Sequence, residues 1–108
     1  MHKRHLIRST VVLALATAFG HAGAQDNTFK VGLILPMTGP FASTGKQLEA
    51  AAKLYMAQNG DTVAGKKVVL IVKDDTGTPD VTKRIAQELI INDKVQVLGG
   101  FGLTPLAF

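Results

Sequence analysis

Residues 29–45 read FKVGLILPMTGPFASTG, and the change of character at Pro36 decides how the chain is built. Phe29 to Leu35 is a nearly continuous apolar run, as a strand needs when both of its faces are covered in a parallel sheet. Pro36 ends it, and Met37 to Gly45 is a loop dense in turn formers. A helix is predicted from about Lys46 to Asn59, where Leu48, Ala51, Ala52 and Tyr55 recur at helical spacing as one apolar stripe. Ser43 or Thr44 offers an N-cap hydroxyl and Gly60 a C-terminal stop.

Further along, Lys67 to Lys73 (KVVLIVK) repeats the buried-strand pattern, entered through a turn around Gly65. Asp74 to Pro79 (DDTGTP) is a second loop, and Thr78-Pro79 starts a second helix, because proline at the first helical position forfeits no needed hydrogen bond. That helix is predicted to reach about Asn92 with Val81, Ile85, Ala86, Leu89 and Ile90 turned inward. Val95 to Leu98 (VQVL) is a third strand, and Gly99 to Ala107 (GGFGLTPLA) a third loop. Strand and helix alternate through short links, which means parallel pairing by right-handed crossovers in the order 2-1-3. The fold class is α/β, a βαβαβ parallel sheet without repeat or linker. Two helices cannot cover both faces of three buried strands, so residues 25–108 are expected to open a longer protein and to be marginal alone.

Toward the other end, residues 1–24 read as an export signal. Lys3, Arg4 and Arg8 precede a short apolar stretch, and Ala22-Gly23-Ala24 supplies small residues for a cut after Ala24. A retained membrane anchor is the duller alternative, disfavoured by the shortness of the run. All three histidines (His2, His5, His21) leave with the signal, and the chain has no cysteine. The mature part thereby lacks the side chains most used for nucleophilic and acid–base chemistry near neutral pH, any disulfide, and any cysteine-linked lipid anchor. Of 12 basic and 8 acidic side chains, only Lys3, Arg4 and Arg8 lie in the signal, leaving nine against eight, a net of +1. The basic balance of the whole chain therefore belongs to the signal and implies no nucleic-acid partner. Nothing has metal-ligand spacing, and no cofactor is expected.

In an open parallel sheet, ligands bind beyond the carboxyl ends of the strands, where all three loops lie. The first leads into a helix whose opening N–H groups attract anions, with Ser43 and Thr44 adding hydroxyls. In the third, Gly100 and Gly102 allow close backbone approach and Thr104 offers a hydroxyl. Phe41, Phe101 and Leu103 supply apolar wall, so the candidate ligand-binding residues are Phe41, Ser43, Thr44, Phe101, Gly102, Leu103 and Thr104. This mixture suits a small carboxylate-bearing solute. Each has a plainer reading: Ser43 or Thr44 as a helix cap, the glycines as a tight turn, Phe101 and Leu103 as core. Asp74-Asp75 reads as local caps or solvated charge before it reads as a cation site.

The strand ending in P-M-T-G-P-x-A-x-x-G (Pro36 to Gly45) and the strand–D-D-x-x-x-P–helix unit (Asp74 to Pro79) resemble the periplasmic solute-binding proteins of branched-chain amino acid ABC transporters. The likeness extends over essentially all of residues 25–108. It implies a type I periplasmic binding protein fold, two-lobed and doubly wound, of which this chain holds the start of the first lobe. It also implies a solute trapped between the lobes and delivered to the membrane subunits of an ABC permease, by a free, monomeric periplasmic protein. In leucine-type members an aromatic residue just before the first-loop glycine contacts solute; Thr44 stands there instead. Their third loop is rich in serine and threonine that hold the amino acid carboxylate; here Phe101-Gly102-Leu103-Thr104-Pro105 keeps only Thr104. The solute implied is an amino acid, or an aromatic or aliphatic carboxylate or amide that suits the more apolar loop.

The leading reading is thus a solute receptor that performs no chemistry. A sensor of the same fold, coupling closure to signalling, is the alternative. An exported enzyme is the third reading; Gly100-Phe101-Gly102 lacks the third glycine of a dinucleotide fingerprint and is followed by Pro105, and Ser43 has no histidine to activate it.

Overall fold

Strand β1 (Thr28–Leu35) lies between two parallel neighbours, and everything else is arranged around it. The computed structural model describes residues 27–108; the proposed signal and its cut after Ala24 fall outside the described residues. β1 is followed by α1 (Ala42–Asn59), a short β2 (Thr62–Val63), β3 (Lys66–Asp74), α2 (Pro79–Ile91), β4 (Val97–Gly100) and a 3-10 turn at Thr104–Leu106. β1 pairs with β3 from Thr28↔Lys67 to Leu35↔Asp74, and with β4 from Val31↔Val97 to Ile34↔Gly100. The sheet order is β2-β3-β1-β4, so the predicted 2-1-3 arrangement of the three parallel strands holds. The fold is an α/β open sheet, as predicted.

β2 is an addition. It runs antiparallel to β3, with Thr62 opposite Lys67 and Val63 opposite Lys66. The two residues between them, Ala64 (φ 51°) and Gly65 (φ 77°), both take the left-handed conformation that a tight hairpin turn requires. Alanine there carries no Asn-Gly signal, which is why the sequence shows only a turn at Gly65.

The helices depart from expectation in their faces. α1 begins at Ala42, ahead of the predicted Lys46, and its N-cap position is Phe41 rather than Ser43 or Thr44. Of the predicted stripe only Ala52 is half-buried; Leu48 is 50% and Tyr55 67% exposed. The inward residues are Gly45, Ala52 and Met56 instead. Gly45 sets this rotation: a Cβ there would stand 2.1 Å from the Pro36 carbonyl oxygen, so the helix rests backbone on backbone at the end of β1.

α2 starts as predicted, with Thr78 extended at the N-cap and Pro79 first in the helix, and it closes at Asn92, whose N–H donates to Glu88 O (2.8 Å). Val81, Ile85, Ala86 and Leu89 turn inward, but Ile90 is 53% exposed. The core centres on Ile34, Leu35, Leu89 and Leu106, each burial stabilising by roughly 1.5–3 kcal/mol. Leu89 crosses β1 at Gly32, where a Cβ would come within 3.1 Å of Leu89 Cδ1 and 3.0 Å of Leu98 Cδ2. β4 lies two residues later than predicted, because Val95 packs toward Gly32 while Gly99 and Gly100 enter the ladder.

Candidate functional site

The carboxyl ends of β1, β3 and β4 deliver three segments to one edge of the sheet: Pro36 to Phe41, Asp75 to Thr78, and Phe101 to Leu103. Paired carboxylates at the end of β3 fasten the first two. Asp74 serves the first segment: Met37 N–H donates to Oδ1 (3.0 Å) and the Thr38 hydroxyl to Oδ2 (2.6 Å). It also caps its own turn, accepting Thr76 N–H on Oδ1 (3.0 Å). The Thr38 hydroxyl holds the Asp74 carboxyl below its ordinary value, and the Thr76 and Met37 N–H groups act in the same direction against the opposing effect of burial.

Asp75 faces the interior, 1% exposed. Its N–H donates to Leu35 O (2.9 Å), and its carbonyl accepts the Thr82 hydroxyl (3.0 Å) and Thr78 N–H (3.3 Å). Its Oδ1 accepts Gly77 N–H (2.8 Å), while Oδ2 has no partner. Both aspartates thus act as the local turn caps that the sequence favours, and what the sequence does not show is that Asp75 is buried.

The third segment makes an abrupt turn. Gly100 (φ 102°) and Phe101 (φ 61°) are both left-handed, and a Cβ on Gly100 would stand 2.2 Å from Ile34 O. Phe101 N–H donates to that same oxygen (2.8 Å). A left-handed phenylalanine is strained, and such strain gathers where chains meet ligands. Gly102 then passes over Pro36, with room for no side chain: a Cβ would lie 2.9 Å from the proline ring and 3.3 Å from Asp75 Oδ2. Leu106 is buried and anchors the 3-10 turn.

The sequence-predicted residues fall as follows. Phe41 sits at the start of α1, half exposed at 50%. Ser43 and Thr44 lie exposed in the first turn of α1 and neither caps it; that correction has a simple cause, since Ala42 N–H is met by Gly39 O (3.2 Å) and Thr44 N–H by Phe41 O (3.0 Å). Phe101 is half-buried, and Gly102, Leu103 and Thr104 are exposed along the third segment. The Pro36–Gly102 approach brings the first and third segments together; the sequence does not reveal that Thr38 and Asp74 fasten the first segment to the end of β3.

The rim so formed joins exposed hydroxyls and apolar side chains, and it has no histidine or cysteine.

Comparison with known proteins gives three findings. A family model described as "Periplasmic binding protein" matches residues 28–107. The Leu/Ile/Val-binding protein homolog 6 of Brucella abortus (strain 2308) is 36% identical over 104 residues, which is 95% of this chain and 26% of that protein. The chain therefore spans about a quarter of the length of the curated relative. Among solved structures, the solute-binding protein of an ABC transporter from Rhodopseudomonas palustris BisB5, in complex with 3,4-dihydroxybenzoic acid, is 67% identical with a TM-score of 0.73 over 75% of this chain and 22% of that one. A second, from Rhodopseudomonas palustris HaA2 in complex with p-hydroxybenzoic acid, is 41% identical with a TM-score of 0.71 over 74% and 22%.

Proposed function

The chain belongs to the periplasmic binding protein family, and from that premise we propose that it opens the first lobe of a receptor for aromatic carboxylates, of the benzoate and hydroxybenzoate class, serving an ABC importer. The family consists of solute-binding proteins rather than enzymes. The observation that carries the solute class is the rim after β4: Phe101 and Leu103 with a single hydroxyl, Thr104, where leucine-type members have several. An aromatic ring needs apolar wall and few donors; a zwitterionic amino acid needs many. The ligands named for the two Rhodopseudomonas structures point the same way.

In this reading the carboxylate meets the Ser43 N–H and the hydroxyls of Ser43, Thr44 and Thr104, while Phe41, Phe101 and Leu103 face the ring. A second lobe contributes the other half of the cleft. Solute bridges the lobes and so favours the closed state, which the permease recognises. No bond of the solute is broken. The receptor works in the periplasm after residues 1–24 are removed.

The test is a thermal-shift and calorimetric screen of the product of the complete open reading frame. Benzoate, 4-hydroxybenzoate and 3,4-dihydroxybenzoate are expected to raise the midpoint, with about 2.7 kcal/mol of stabilisation at a hundredfold excess over Kd. Leucine is expected to leave it unmoved. A rise with leucine and none with any benzoate overturns the reading.

A further inference from the structure

We propose that Asp75 is a positioning residue for the solute rim: its free Oδ2 accepts a backbone N–H from the Gly102–Leu103 segment as solute seats, and so holds the loop that faces the solute. The proposal rests on the solute-receptor reading above.

Asp75 is saturated everywhere but at this atom. Its N–H, carbonyl and Oδ1 fasten the end of β3 to β1 and to the start of α2, through Leu35 O, the Thr82 hydroxyl and Gly77 N–H. Oδ2 is buried and unpartnered. A carboxyl oxygen left dry and unpaired costs free energy, so a donor within reach is strongly favoured. Solute cannot be that donor, because Asp75 is shielded, at 1% exposure, behind Pro36 and Gly102. The adjacent donors belong to the loop, since Oδ2 lies 3.3 Å from the point that a Gly102 Cβ would occupy.

The loop is also poised to move. Phe101 is held left-handed at φ 61°, a strained conformation for a residue with a Cβ. A shift that relaxes Phe101 and turns an N–H of residue 102 or 103 toward Oδ2 gains at both ends. Gly102 is the position that permits it, because any side chain there meets the Pro36 ring at 2.9 Å. Asparagine is the informative replacement. It has one acceptor oxygen, so it can serve Gly77 or the loop but not both.

The experiment uses a hybrid receptor in which residues 27–108 replace the matched segment of the Rhodopseudomonas palustris BisB5 protein, so that both lobes are present and the probe, 3,4-dihydroxybenzoate, is one that relative is known to hold. Asp75→Asn is expected to weaken Kd by about tenfold or more, the loss of one buried hydrogen bond. Thr82→Val, which also removes a buried bond to Asp75 but none to the loop, is expected to lower the melting midpoint and leave Kd within about twofold. In ¹⁵N spectra, a Gly102 or Leu103 amide proton should move downfield on adding the probe, and should not do so in Asp75→Asn. An unchanged Kd in Asp75→Asn, or equal weakening by Thr82→Val, overturns the proposal. Should Asp75→Asn fail to fold, the unsubstituted hybrid decides alone: binding without a downfield amide refutes the role of Asp75. An unsubstituted hybrid that binds no benzoate defeats the solute reading itself and this proposal with it.

Discussion

Replacing Gly45 by alanine tests the packing on which the rim is built, because propensity and structure make opposite predictions for it. In a helix interior, glycine to alanine ordinarily stabilises by about 1 kcal/mol. At Gly45 the new Cβ would stand 2.1 Å from Pro36 O and 2.7 Å from Pro36 C, against an ordinary contact of 3.4–4 Å. Both atoms are backbone, so no rotamer relieves the overlap, and α1 must move away from β1 by more than about 1 Å. Overpacking of that kind costs roughly 3 kcal/mol at the upper end of its usual range, leaving a net loss of about 2 kcal/mol after the propensity gain. Since Pro36 also carries Gly102, the displacement reaches the rim, and solute affinity should fall several-fold with it. Urea denaturation of the hybrid receptor, with an unchanged slope, measures the stability; calorimetry measures the affinity. Ala51→Gly on the exposed face of the same helix is the control, costing about 1 kcal/mol with no change in affinity. A Gly45→Ala variant as stable as its parent would refute the close contact between α1 and β1.

Gly100→Ala should destabilise more than Gly45→Ala, because its φ of 102° and a Cβ 2.2 Å from Ile34 O add strain to overlap; a urea midpoint equal to the parent's would contradict this. Asp74, whose folded value is depressed chiefly by Thr38, contributes stability that is fully present above the ordinary aspartate value near ~3.9 and is lost as pH falls through the depressed one. Thr38→Val should therefore shrink the difference between urea midpoints at about pH 7 and about pH 3, and an identical difference would count against the Thr38–Asp74 bond. Residues 27–108 alone should bind the dye ANS and melt without a sharp transition, since Leu48, Leu54, Tyr55, Ile90 and Ile91 are exposed; a cooperative melt without dye binding would show a self-sufficient core.

The sheet could be read from the chain because its strands are continuous apolar runs with unambiguous stops at Pro36 and Asp74. What escaped was set by contacts between elements. The stripe Leu48, Ala51, Tyr55 has the right spacing for a buried face, but Gly45 against Pro36 turns α1 so that this stripe points outward. Ser43 and Thr44 are cap-type residues, yet carbonyls of Gly39 and Phe41 meet the neighbouring N–H groups first. Gly99 and Gly100 read as loop, since glycine is a poor strand former; they pair with Leu33 and Ile34 of β1, and at Gly100 only glycine can approach Ile34 so closely. At the rim, the loops and their glycines were visible in the sequence, whereas the buried oxygen of Asp75 is a property of depth that spacing does not encode.

Calorimetric titration of the complete receptor with 3,4-dihydroxybenzoate, followed by mass analysis of the recovered ligand, is the most direct measurement. One-to-one saturable binding with the aromatic acid returned unaltered is the predicted result. No heat with any benzoate, or a chemically changed product, contradicts it.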